Sequence, residues 1–92
     1  MTWDEVDFED VFVSREMFFS IGTERNSGKC YLSIPVSTGR VDYSEYYELS
    51  EVEFDTFIEN PSAADAFAWR CRRQELDERL IVPAFKNRGT AI

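Results

Sequence analysis

The stretch Leu49-Ser50-Glu51-Val52-Glu53-Phe54 constrains the fold more than any other part of the chain, because several helix-start signals coincide in it. Ser50 can cap a helix beginning at Glu51, Glu53 stands at the third helical position to complete a capping box, and Leu49 and Phe54 have the spacing of a hydrophobic staple. After this point the apolar period is helical. Phe54, Phe57 and Ile58 stand at i, i+3 and i+4, which leaves Glu51, Glu53, Asp55 and Glu59 mostly on the solvated side. Before it the period is two. Over roughly 41–49, Val41, Tyr43, Tyr47 and Leu49 share one side of a strand, and Asp42, Tyr46 and Glu48 share the other.

The same reading extends outward in both directions. Cys30, Leu32, Ile34 and Val36 alternate with Tyr31, Ser33 and Pro35 as a second strand, and Pro35 marks an edge or the end of that strand's pairing. Upstream, Val11, Val13, Met17, Phe19 and Ile21 are apolar at odd positions, which suits one strand over 11–21; Arg15, Phe12 and Phe18 break the alternation. Downstream, Asn60 can end the first helix or cap the next, and Pro61 is tolerated at a first helical position. A second helix is expected over about 61–80, its stripe Ala64, Phe67, Ala68 and Cys71 packed on the sheet, with Trp69 and Leu76 on its outer face, where the N- or C-terminal segment, rather than a partner, is expected to cover them. The expected fold is therefore α+β: a three-stranded antiparallel β-meander followed by two α-helices packed on one face.

Ninety-two residues make a single domain over 1–92. Residues 1–10 are expected to be extended or irregular, although Thr2 and Glu5 have capping-box spacing; "LIVP" could add a short strand, and 86–92 reads as a flexible tail. With 43% hydrophobic residues the chain can fold, and no apolar run approaches the roughly 20 residues of a membrane span. The acidic start "MTWDEVDFED" is unlike a signal peptide, which leads to the expectation of a cytoplasmic protein. Cys30 and Cys71 have no metal or redox spacing and read as free, buried thiols.

The chain contains no histidine, which removes the commonest general base, the usual Ser-His and Cys-His pairs and most zinc-ligand sets. Paired carboxylates remain, since Asp42, Glu45 and Glu48 can approach one another, but a glycosidase needs carboxylates facing across a cleft. "DYSEYYE" lacks the glycine and spacing of an EF-hand, and the glycines are too scattered to cradle a phosphate. The expectation is no enzyme, no cofactor and no metal. Nucleic acid is disfavoured by the net charge of -8. The one basic cluster, Arg70 to Arg73, reads as the C-terminal half of a helix paired with acids such as Asp77 and Glu78.

Protein binding remains. Between Val41 and Trp69 every charged residue is acidic, and the first ten residues add five acids without a base. Such segregation creates a field that steers a basic partner and sets association rate and specificity more than affinity. Tyrosines among those acids can serve as anchors; Tyr43, Tyr46 and Tyr47 cannot all share one side of a strand. The candidate partner-binding residues are Asp42, Tyr43, Glu45, Tyr46, Tyr47, Glu48, Glu51, Asp55 and Trp69.

The block "YLSIPVSTGRVDYSEYYEL" followed by the acidic helix "SEVEFDTFIEN" resembles bacterial immunity proteins of polymorphic and contact-dependent toxin systems in size, charge and architecture. The resemblance implies a cytoplasmic inhibitor of a cognate basic toxin, commonly a nuclease, in which carboxylates such as Asp42, Glu45, Glu48 and Glu51 stand in for phosphates. Two other readings predict different behaviour. A nucleic-acid mimic acting on a host or phage protein would bind with the same salt sensitivity, whereas an adaptor docking through Trp69 and Leu76 would tolerate salt. The chain is expected to be a monomer or a weak homodimer through strand edges, where Pro35 guards one position.

Overall fold

The structure, a computed structural model, describes residues 2–85 and 88–92. Strands β1 (Phe8–Ser14), β2 (Phe19–Glu24), β3 (Cys30–Ser37) and β4 (Asp42–Leu49) form an antiparallel sheet in the order β1-β2-β3-β4. Helix α1 (Glu51–Glu59), a 3-10 turn over Pro61–Ala64, helix α2 (Asp65–Arg72) and a second 3-10 turn over Asp77–Arg79 follow. The chain closes with β5 (Thr90–Ala91), which pairs antiparallel with β3. Among the described residues the architecture is α+β with two α-helices, and the sheet has five strands where a three-stranded meander was expected.

The difference arises at the N-terminal end. What reads as one strand over 11–21 is two strands joined by a tight turn at 15–18, with Phe18 at φ 54. A register shift between Asp10 and Phe12 inverts the faces before the turn: Phe12 packs on the main core, while Val11 and Val13 are exposed. The odd-position pattern therefore spans a bulge and a turn, and the off-pattern Phe12 and Phe18 were its true markers. Residues 1–10, expected to be extended or irregular, divide into a turn and the extended start of β1. Trp3–Glu5 form a 3-10 turn without a side-chain cap from Thr2, and β1 begins at Phe8.

The Ser50 capping box forms as expected. Ser50 Oγ accepts from the Glu53 N–H at 3.1 Å and Glu53 Oε1 accepts from the Ser50 N–H at 2.8 Å. The expected second helix is cut short. After Arg72 the Gln74 N–H donates to the Cys71 carbonyl and the Glu75 N–H to that of Arg70, a Schellman closure with Gln74 at φ 61. Glycine normally holds that position, so the stop carries no glycine signal. Leu76, expected beside Trp69 on an outer face, leaves the helix direction and is buried.

The helices cover one face of the sheet. Ile21, Leu32, Ile34 and Tyr47 pack there against Ala64, Ala68, Cys71 and Leu76. A second cluster lies on the opposite face, where Tyr31, Ile81 and Val82 meet Val6, Phe8 and Tyr46. Phe8 and Tyr46 stack with ring centroids 3.6 Å apart and planes 3° from parallel. Tyr31 reaches from β3 across Gly22 on β2 to donate its hydroxyl proton to Asp10 on β1. A Cβ at Gly22 would collide with the Glu9 carbonyl and the Tyr31 ring, so only glycine lets the ring cross.

The C-terminal stretch completes the sheet. Leu80 bridges to Tyr47, and the Ile81 N–H donates to the Tyr46 carbonyl at 2.9 Å, covering part of the outer edge of β4. β5 pairs with Val36 and Ser37, beyond the last β2 partner Ser33. Pro35 sits in that gap, where pairing with β2 has ended, and its carbonyl accepts from the Ile92 N–H at 3.1 Å. Of the expected flexible tail 86–92, Lys86 and Asn87 lie outside the described residues, and Arg88 to Ile92 are held by β5 and by Arg88. Among the described residues no helix is long and apolar enough to cross a membrane.

Candidate protein-binding surface

The nine candidate partner-binding residues do not form one surface. Glu45 and Tyr47 are inside, Glu45 only 5% exposed and Tyr47 fully buried. Parity accounts for both, since positions 43, 45, 47 and 49 share the core face of β4. A carboxylate is tolerated there because Arg88 returns to meet it, Nε 2.8 Å from Oε2 and Nη2 2.9 Å from Oε1. Arg88 also bonds Asp77 at 2.7 Å, and the Tyr47 hydroxyl lies within reach of Arg88, Glu45 and the Cys71 carbonyl. Removal of Glu45 and Tyr47 from the surface set follows from this burial.

Tyr43 and Tyr46 are half-buried in an aromatic belt at the β4 edge. Tyr46 lies under Trp3 and Phe8, and Tyr43 meets Phe85 edge-on at 4.8 Å while its hydroxyl accepts from the Gly89 N–H. Desolvation pushes the Tyr46 phenol up from its ordinary value. These rings therefore tie the two chain ends to the sheet.

The remaining acids divide by position. Asp42 is exposed at the start of β4, and Glu48 near its end; the intervening strand places them about 20 Å apart. Glu48, Glu51 and Asp55 converge on Cys30, whose thiol is pushed up by burial and then by the charges of Glu51, Asp55 and Glu48. Along α1, Glu51, Asp55 and Glu59 are all exposed at four-residue intervals, a single stripe with Val52 (75% exposed) beside it. None of the three has an ion-pair partner among the described residues, while Glu53 is held by Arg79 at 2.8 Å. Glu48 has a long contact of 3.8 Å to Lys29.

Trp69 stands apart from these acids, on the outer face of α2 as expected, but the expected cover from the chain's terminal segments is incomplete and leaves it 52% exposed. It lines a groove of about 610 Å³ with Met17 and Phe18 from the β1–β2 turn and Ala91 and Ile92 from the end of the chain. Its neighbours were missed in the sequence because they belong to distant segments, although the broken alternation at Arg15 and Phe18 marks the turn that supplies two of them. Elsewhere Glu24, also unremarked in the sequence, is fully buried and accepts from the N–H groups of Asp7, Asn26 and Ser27 and from the Ser27 hydroxyl. The Ser27 hydroxyl is the chief cause that lowers its pKa to about 2, with the backbone donors overcoming desolvation. Glu24 thus closes the β2–β3 loop and pins the segment before β1.

Burial pushes the Cys71 thiol up to about 12, so neither cysteine is activated. Among the described residues no group of three or more cysteine, aspartate and glutamate side chains is arranged to hold a metal. Comparison with family models, with curated proteins and with solved structures finds no match.

Proposed function

We propose that this chain is a cytoplasmic inhibitor of the immunity type, binding a cognate basic toxin domain through the acidic face of α1. The observation that carries this reading is the stripe Glu51, Asp55 and Glu59, exposed and without ion-pair partners among the described residues. Like charges at i and i+4 destabilise a helix, and Glu59 in the last turn opposes the negative end of the helix dipole. Glu51 suits the positive end of the dipole, so Asp55 and Glu59 are the residues the helix keeps against its own stability, as binding surfaces commonly do. The exposed Val52 adds an apolar contact beside the carboxylates. Glu48 extends this surface, whereas Glu45 and Tyr47 support β4 from behind.

The test is capture of binding proteins by the immobilised chain at low salt, with elution by a salt gradient and a parallel column carrying Asp55→Lys. The reading predicts a strongly basic partner, released by moderate salt and absent from the variant column, whose toxic activity the wild-type chain suppresses. A partner retained equally by Asp55→Lys, or one whose activity is unaffected, would remove α1 from the account.

A further inference from the structure

The sheet has one open side. Ile81 bonds Tyr46 on the outer edge of β4, and β5 continues along β3 where β2 has ended. β1 stands at the other end of the strand order, and its outer edge has no backbone partner among the described residues. Edge strands are usually guarded by charges, prolines or bulges, because a bare row of N–H and C=O groups recruits another strand. The first half of β1 has such guards in Glu9, Asp10 and the bulge between Asp10 and Phe12. The second half has none. Val11 and Val13 are 59% and 55% exposed and alternate with the half-buried Phe12, and an open concavity of about 560 Å³ runs along Phe12 to Met17.

The triad Val11-Phe12-Val13 reads the same in both directions, so an antiparallel copy of the strand matches it residue for residue. With Phe12 on a twofold axis, Val11 stands opposite Val13 of the second copy, and Glu9 comes opposite its Arg15. Phe12 faces the helices, so the four valines meet on the other face of the joined sheet. Both charges are available: Arg15 is exposed with no ion-pair partner among the described residues, and Glu9 shares Arg25 with Asp7. The neighbouring registers are worse. A pair centred on Val11 sets each Val13 against Glu9, and one centred on Val13 sets each Asp10 against Glu16.

We infer that β1 is a self-association edge: two copies pair antiparallel about Phe12 and join their sheets, with Glu9 and Arg15 of each copy fixing the register. One long edge is open, so the assembly closes as a twofold dimer. The acids and the bulge keep the ladder short, which makes the dimer a weak, concentration-dependent one. The contact uses no residue of α1 and does not depend on the proposed function.

The experiment is sedimentation equilibrium of the full chain up to about 1 mM. It is run in about 0.15 M salt, where repulsion between two chains of net charge -8 is screened beyond about 8 Å. Wild type should show a reversible monomer-dimer equilibrium. Val13→Lys, a change at an exposed position, should weaken it about tenfold or more while the circular dichroism spectrum stays that of wild type. Arg15→Glu and Glu9→Arg should each weaken self-association, and an equimolar mixture of the two should recover it, because the mixed dimer restores opposite charges at both ends. Asp55→Lys should dimerise as wild type does, so that failure of the α1 reading and failure of this edge are separate results. A chain that stays monomeric throughout, a dimer indifferent to Val13→Lys or lost in Asp55→Lys, or a mixture that associates no better than its separate variants would overturn the inference.

Discussion

Arg88 and Glu45, forty-three residues apart, meet in a two-pronged ion pair in which both carboxylate oxygens are bonded. Glu45 faces the core from β4, and Arg88 brings the last residues of the chain across to it before β5 pairs with β3. Asp77 supplies a second carboxylate to the same guanidinium. The C-terminal stretch is thereby part of the fold.

Removal of one partner leaves the other charge buried without compensation. Arg88→Leu should destabilise the chain by about 3 to 5 kcal/mol in urea unfolding. The double variant Glu45→Leu/Arg88→Leu should recover much of that loss, because an apolar pair of similar volume has no charge to desolvate. A double variant as unstable as the single one would show that Asp77 and Tyr47 depend on the arginine more than Glu45 does.

Glu24 ties stability to acid. Its carboxyl is held at about 2 by the Ser27 hydroxyl and the surrounding N–H donors, below the ordinary value of 4.5. The folded chain therefore binds fewer protons than the unfolded chain between these values, and stability rises with pH there. The contribution is fully present above about 4.5 and is lost as pH falls toward 2. Melting curves of wild type and Glu24→Gln should differ at neutral pH and converge over that window. A gap that stays constant down to pH 2 would assign the effect to packing.

Gln74 and Phe18 both hold left-handed backbone conformations. Gln74 is exposed at the end of α2, so Gln74→Gly should raise stability by about 0.5 to 1 kcal/mol by relieving the steric clash. Phe18→Gly gains the same relief but gives up the buried half of its ring, and should change stability by less than about 1 kcal/mol. Phe18→Val, β-branched in the same conformation, should be the least stable of the series. Chemical unfolding of the three variants distinguishes these outcomes.

Local signals were the legible ones. The start of α1 could be read because Ser50, Glu53, Leu49 and Phe54 lie within one turn of each other, and all bear on the same boundary. β3 could be read because its apolar alternation is unbroken, and β4 because only Glu45 interrupts its apolar face. The β1–β2 turn could not, since a bulge near Val11 and a turn at Phe18 together produce an apparently continuous odd-position pattern. The end of α2 was hidden by a Schellman closure on Gln74. The candidate site suffered from the same limit: Glu45 looks like a surface acid until Arg88 arrives from the end of the chain, and Tyr46 looks exposed until Phe8 and Trp3 cover it. Parity with Tyr43, Tyr47 and Leu49 does put Glu45 on the core face, but the contacts that make its burial tolerable and that cover Tyr46 come from distant segments, which no spacing within 41–60 reports.

Asp55 lies between Glu51 and Glu59 on α1, so Asp55→Lys turns two repulsive i, i+4 relations into attractive ones. It should raise stability by about 0.5 to 1 kcal/mol. The most direct test of the central claim is the association rate of wild type and Asp55→Lys with the captured basic partner, measured at several salt concentrations. The account predicts a wild-type rate that falls steeply with salt and a variant, at least as stable as wild type, that associates more slowly at low salt with a shallower dependence. Equal rates and equal salt dependence for the two proteins would contradict it.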